Sequence, residues 1–435
     1  MTDLIGLTAR QAVAQVRAGT LSVEAVVRAQ LERIAAREPV IGAWIHLDPE
    51  GAIAEAKARD GAPRGPLTGA TIGVKDIIDT ADMPTGYGSA AYAGFRPNAD
   101  APCVCLSRAA GGVALGKTVS TEFAMAAPGT TANPWNPAHT PGGSSSGSAA
   151  AVAAGMVHLA FGTQTSGSVI RPAAYCGVAG YKPSFGLIDR SGVKPLSDSL
   201  DTVGLMARDV RDLGYFAAVL TDRPGLQVGE EVAAPRIAVF RTSTPDEAQP
   251  CAFAALERAA ALAAARGATV SAAPLPGWFH GLLAAQDAVM GWEMWRALAY
   301  ERLCLADRIT ARTREVAAAR GNVTAPEYDH AQAAAAAGRA RLEELFGDAD
   351  VLLTLPAPGE APAGLGTTGL PLFNRAWTLL RTPCVTVPAG VGPSGLPLGV
   401  QVVGRIGADA QVLAAAAFIE AALAGAVEQP AVRAA

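Results

Sequence analysis

Thr140-Pro141-Gly142-Gly143-Ser144-Ser145-Ser146-Gly147-Ser148, followed by Gly162-Thr163-Gln164-Thr165-Ser166-Gly167-Ser168-Val169-Ile170-Arg171-Pro172, decides how this 435-residue chain is read. Serine and glycine crowd both segments. Serine brings hydroxyl nucleophiles, and glycine lets backbone approach a substrate closely and take up positive φ. Acyl transfer needs a hydroxyl, a base, and N–H groups aimed at an oxyanion. A candidate base lies upstream, in the apolar run Ile72-Gly73-Val74-Lys75-Asp76-Ile77-Ile78. A Gly/Ser-rich loop before a helix can also cradle phosphate. Here no Gly-Lys-Ser/Thr ending follows, and no acidic residue stands at dinucleotide-binding spacing. Gly116-Lys117-Thr118 lies at the end of an apolar strand, the wrong order for a phosphate loop.

The choice of cation is informative. Of 35 basic residues only five are lysine: Lys57, Lys75, Lys117, Lys182 and Lys194. A chain that uses arginine for surface charge has a reason to keep lysine in an apolar run. Arginine stays protonated, whereas a buried lysine can lose its proton and act as a base. The competing reading is a lysine whose stem lies along an edge strand with its head in water. No motif places a histidine beside the serines. Carboxylates, at a reference pKa of roughly 4, are weak partners for a leaving amine.

These residues also carry a resemblance. Gly142-Gly143-Ser144-Ser145, Gly167-Ser168 and Val74-Lys75-Asp76 resemble the core segments of the amidase signature family, with Ser144 69 residues after Lys75 and Ser168 24 after Ser144. The likeness continues through Ala173–Gly177, Lys182–Ser184, Ser199–Gly204, Asp350–Thr354 and Gly395–Gln401. Ser168–Pro172 and Phe373–Leu379 make the malonamidases the nearest branch in motif detail. The resemblance implies an α/β amidase-signature fold, a central mixed β-sheet covered by helices on both faces. It implies a Ser–cisSer–Lys relay in which Lys75 takes a proton from Ser144, Ser144 takes one from Ser168, and Ser168 attacks the carbonyl to form an acyl-enzyme. Ser144 would follow a cis peptide bond from Gly143. The oxyanion hole would use backbone N–H groups of Thr165, Ser166, Gly167 and Ser168. Many members carry Asp-x-Gly-Gly-Ser where this chain has Gln164-Thr165-Ser166-Gly167-Ser168, so Ser166 adds a Cβ beside that hole. For substrate contacts the resemblance implies Arg171, Met125, Gly143 and Trp377. Arg171 either holds a substrate carboxylate or forms a structural salt bridge, and Trp377 and Met125 either line the pocket or are simply core.

Composition agrees with a soluble enzyme. Half the residues are apolar and 17% are charged, enough for a large core and too apolar for global disorder. The net charge of −4 argues against a nucleic-acid or anionic-membrane surface. No apolar run of membrane-spanning length appears and Met1–Leu4 lack a leader pattern, so a cytoplasmic protein is expected. The six cysteines are scattered; Cys103 and Cys105 form the one close pair, without a nearby histidine. No metal and no cofactor are expected. His158 lies in an apolar run as a core residue, while His139, close to the serine loop, either touches substrate or is simply solvated.

The whole chain, 1–435, reads as one domain: N-terminal helices over 1–64, a catalytic core over 65–225, and a helical layer near the substrate pocket over 280–347. Thr8-x-x-Gln11 is a capping box with Gly19 as the stop, and a second helix runs from Ser22 to Glu38, ended by Pro39. Strands are expected at 70–78, 112–116, 156–162, 236–240, 350–355, 384–388 and 398–404. Helices are expected at 101–111, 147–155, 207–220, 251–266 and 409–425, the last capped by Asp409. The expected activity is serine-dependent hydrolysis of a small amide, with a carboxylate-bearing amide as one candidate substrate and a homodimer as one candidate assembly. The rivals are the A subunit of a tRNA-dependent amidotransferase, and a carbamate (urethane) or ester hydrolase using the same triad.

Overall fold

The computed structural model describes residues 4–125 and 127–431. Within them one sheet is built from β1 (Trp44–Leu47), β2 (Thr71–Lys75), β3 (Val113–Thr118), β4 (Leu159–Gln164), β5 (Ala179–Lys182), β6 (Thr202–Ala207), β7 (Arg236–Val239), β8 (Thr269–Ala272), β9 (Val351–Thr354), β10 (Cys384–Val391) and β11 (Pro397–Val403). The spatial order is β1-β3-β2-β4-β6-β5-β10-β11-β9-β7-β8. β2 runs parallel to β3 and to β4, and β7 parallel to β8 and to β9. The remaining pairings are antiparallel, so the sheet is mixed.

Successive side chains of a strand point to opposite faces. On β4, Leu159 and Phe161 enter one apolar cluster and Ala160 enters another. The first is covered by the helices Val210–Thr221 and Asp409–Leu423, and the second by Val23–Ile41 and Ser146–Ala153. Phe161 meets Phe216 with ring centroids 5.1 Å apart. Every residue of β2 and β4 is buried, which is why these strands read as near-continuous apolar runs.

The differences from the sequence expectation are local. β1, β5, β6 and β8 were not expected. β1, β5 and β8 have four residues each, β5 and β6 carry an internal glycine, and β8 is a largely exposed edge; such segments lack a clear period. Pro39 does not end its helix, which continues to Ile41 and stops at Gly42, φ 62°. Proline lacks an N–H but is tolerated this close to the end. There Glu38 turns its carboxylate to the N–H groups of Ala43 and Trp44. Asp409 lies inside its helix rather than capping it. Its carboxylate is occupied by the N–H and Oγ of Ser184 and by the Tyr181 hydroxyl. The Thr8 capping box and the left-handed Gly19 are present.

Candidate active site

Topology brings distant segments to one end of the sheet. β2 and β4 are parallel neighbours, with Gly73 paired to Ala160, so their carboxyl ends lie together. β6 runs back along β4 with Thr202 opposite Gln164, which carries Asp201 to the same end. Ligands of open α/β sheets sit at such carboxyl ends.

Lys75, the last residue of β2, is fully buried. Its Nζ donates to Ser144 Oγ at 2.7 Å and to Thr163 Oγ1 at 2.7 Å. Burial pulls its pKa down from 10.5 to about 7, with the Asp201 charge acting in the opposite sense. The peptide bond from Gly143 to Ser144 is cis. The other serines of the loop are stitched to backbone. Ser145 Oγ accepts from Thr163 N, Ser146 Oγ donates to Val119 O, and Ser148 Oγ donates to Phe161 O. Ser144 alone of the four has its hydroxyl on Lys75.

Ser168 lines a cavity of about 270 Å³, together with Thr165, Ser166, Arg171 and Met125. No hydrogen bond joins Ser144 to Ser168, and among the described residues the Ser168 hydroxyl has no partner. The backbone N–H groups of Ser166, Gly167 and Ser168 likewise find no acceptor among the described residues. Ser166 is not among the residues with positive φ. Its hydroxyl accepts from Gln286 Nε2 at 2.9 Å and lies 3.3 Å from Met290 Sδ. The turn therefore accepts a side chain at this position by directing it to the helix Leu282–Ala297. Gly167 has no such latitude, since a Cβ there would stand 2.9 Å from Asn374 Nδ2.

Arg171 is only 3% exposed. Its Nη2 donates to Gly143 O at 2.6 Å and to Thr368 Oγ1 at 3.2 Å, while Nε and Nη1 have no partner among the described residues. The structural salt bridge expected as one role of this arginine is therefore absent among the described residues. Burial lowers its pKa to about 10. Gly143 contributes its carbonyl to Arg171 and does not line the cavity. Trp377 is a correction: it is buried between Phe240 and Phe279, at centroid distances of 5.3 and 5.2 Å, and lines no part of the cavity. On its helix the indole serves the aromatic core, while the next residue, Thr378, reaches the 166–168 turn. His139 bonds the Ala361 carbonyl at 2.8 Å and does not line the cavity either. His158 is core, its Nδ1 within 3.3 Å of Thr71 N.

Several site residues were not anticipated. Thr163 shares Lys75. Asp201 accepts from Thr165 Oγ1 at 2.6 Å and from the N–H groups of Leu196 and Ser197; burial raises its pKa against those bonds. Gln164 Oε1 accepts from Val169 N at 2.9 Å and Ile170 N at 3.1 Å, and its Nε2 donates to Thr378 Oγ1 at 3.0 Å. Thr378 Oγ1 in turn donates to Ser166 O at 2.9 Å. Gln164 and Asp201 both lie in quoted motif segments, but their partners are fixed only by strand register.

Residues 25–413 match the sequence pattern of the amidase family. Over 231 residues the chain is 45% identical to the A subunit of the glutamyl-tRNA(Gln) amidotransferase of Chloroflexus aurantiacus, an alignment covering 51% of this chain and 47% of that protein. The chain thus spans about half the length of the curated relatives it matches. Among solved structures, one described as a vestigial protein complex revealing the origins of an s-triazine catabolic enzyme has a TM-score of 0.88 at 26% identity, covering 98% of this chain and 100% of that one. 6-Aminohexanoate cyclic dimer hydrolase has a TM-score of 0.87 at 26% identity, covering 97% and 98%. Among the described residues no helix is long and apolar enough to cross a membrane. On the family match and this end-to-end structural likeness, the chain belongs to the amidase family and has the amidase-signature fold.

Proposed function

We propose that this chain hydrolyses the amide bond of a small, carboxylate-bearing substrate through an acyl-enzyme on Ser168. The observation that carries the reading is the buried Lys75–Ser144 contact, taken with a cavity lined by Ser168 and by an arginine that has no acidic partner among the described residues. With Lys75 neutral, its lone pair takes the Ser144 hydroxyl proton. Ser144 takes the proton of Ser168 once a bound substrate has closed that gap, and Ser168 Oγ forms a bond to the amide carbon. The carbonyl oxygen gathers the electron pair and is met by the free N–H groups of the 166–168 turn. As the C–N bond breaks, the relay returns the proton to the leaving amine. Water then repeats the sequence, releasing the acid and restoring Ser168. Arg171, buried with Nε and Nη1 unbonded among the described residues, is a cation that a substrate carboxylate would complement.

The names of the curated relatives favour a second reading more than this one: the A subunit of a tRNA-dependent amidotransferase, working in a complex. The same site would then release ammonia for a partner. End-to-end likeness to the cyclic dimer hydrolase supports the hydrolytic reading. The test is to purify the lone chain and assay it on acid-amides, neutral amides and glutamine. Turnover of acid-amides by the lone chain supports the first reading. Activity restricted to glutamine and dependent on an added partner would replace it with the second.

A further inference from the structure

The helix Ala311–Arg320 presents Arg312, Val316 and Arg320 to the cavity above Ser168. These positions are spaced i, i+4 and i+8, one face of a helix, and eight residues separate the two guanidinium-bearing positions by about 12 Å along the axis. Among the described residues no Asp or Glu lines the cavity. Arg312 has no hydrogen bond or ion pair among the described residues. Arg320 stands 3.6 Å from Asp287, an aspartate it shares with Arg375, and its Nη1 lies against Met290 Sδ of the cavity wall. With the buried Arg171, three arginines line the space, and one half-exposed carboxylate outside that lining, Asp287, is divided between Arg320 and Arg375.

An arginine-lined cavity without an acid is an incomplete charge balance that an anionic ligand completes. Arg171 accounts for one anionic group close to the reacting carbonyl. Arg312 and Arg320 come from a different element and have no role in the relay. We infer that the substrate carries a second anionic group, bound by Arg312 and Arg320, so that the enzyme acts on the amide of an acid with two further carboxylates. This rests on the reading of the cavity as the substrate site of an amide hydrolase.

Binding is tested apart from turnover, using Ser168→Ala protein and calorimetric titration with tricarballylate, glutarate and butyrate, which carry three, two and one carboxylate. One carboxylate of each stands where the acyl group would lie. The expected result is tricarballylate binding at least about 10-fold tighter than glutarate, the scale of one added charged hydrogen-bonded contact. Adding Arg312→Gln and Arg320→Gln, with unchanged melting temperature, should abolish that advantage and leave glutarate affinity within about 2-fold. Arg171→Ala should weaken glutarate itself. Equal affinity for tricarballylate and glutarate, equal weakening of both by the two glutamines, or no binding of either would overturn the inference. Retained tricarballylate selectivity in a protein that hydrolyses no amide would instead refute the hydrolase reading and keep the anion site.

Discussion

Lys75 is held where a charge is costly, and on the proposed relay that position ties catalysis to stability. Its pKa lies near 7 in the folded chain against 10.5 ordinarily. Between these values the unfolded chain binds a proton that the folded chain does not, so stability from this group rises with pH across that window, and its penalty is fullest below about 7. Lys75→Met should therefore raise the melting temperature, more at pH 6 than at pH 10, while abolishing hydrolysis. An equal shift at both pH values would show that the folded lysine keeps its proton. On the proposed relay, kcat/KM rises with pH through about 7 as the amine becomes neutral; a flat profile with intact fold would remove Lys75 as the base. Ser168→Ala, Ser144→Ala and Lys75→Ala should each lower the rate by on the order of 10³-fold or more. Lys75→Arg should be equally inactive, because a guanidinium does not give up its proton.

The turn after β4 behaves as one element because Gln164 holds both of its ends. Its Oε1 caps the helix Ile170–Cys176, and its Nε2 reaches Ser166 O through Thr378. Gln164→Ala leaves those N–H groups buried without an acceptor, at a cost of about 2 kcal/mol. The expected outcome is a lower denaturation midpoint together with a fall in kcat larger than any change in KM, since on the proposed mechanism the freed turn carries the oxyanion donors. A change in KM alone would separate Gln164 from the turn. This bridge was only partly legible in the sequence. Gln164 stands inside the motif, but Thr378 lies 214 residues away and meets it only in the folded chain.

At the scale of the whole molecule, a set of acids joins the two termini to the middle of the chain. Glu420, on the C-terminal helix, accepts from Val210 N, and Asp212 accepts from Ala9 N and Arg10 N near the N-terminus. Burial, then the neighbouring Asp209, raises the Glu420 pKa from 4.5 to about 8. A carboxyl whose pKa is raised on folding holds a proton that the unfolded chain has lost, so stability falls as pH rises from about 4.5 to about 8. Glu420→Gln keeps an acceptor for Val210 and carries no charge. It should be more stable than the parent at pH 9 and nearly equal at pH 4, measured by chemical denaturation. Equal stability of the two at pH 9 would show that the carboxylate charge is already compensated.

The fold class was legible in the linear chain, because buried strands such as β2 and β4 must read as apolar runs whatever surrounds them. So were Lys75, Ser144 and Ser168 as candidates, because each lies in a short contiguous motif. The partnerships came from tertiary structure. Strand order places Lys75 between Ser144 and Thr163, register sets Asp201 beside Thr165, and packing removes Trp377 to the aromatic core while leaving Arg171 without an acid among the described residues. Local periodicity shows which face of a strand or helix is buried. It carries no information on which distant segment that face will meet, and a shift of one residue in pairing would turn every side chain to the other face.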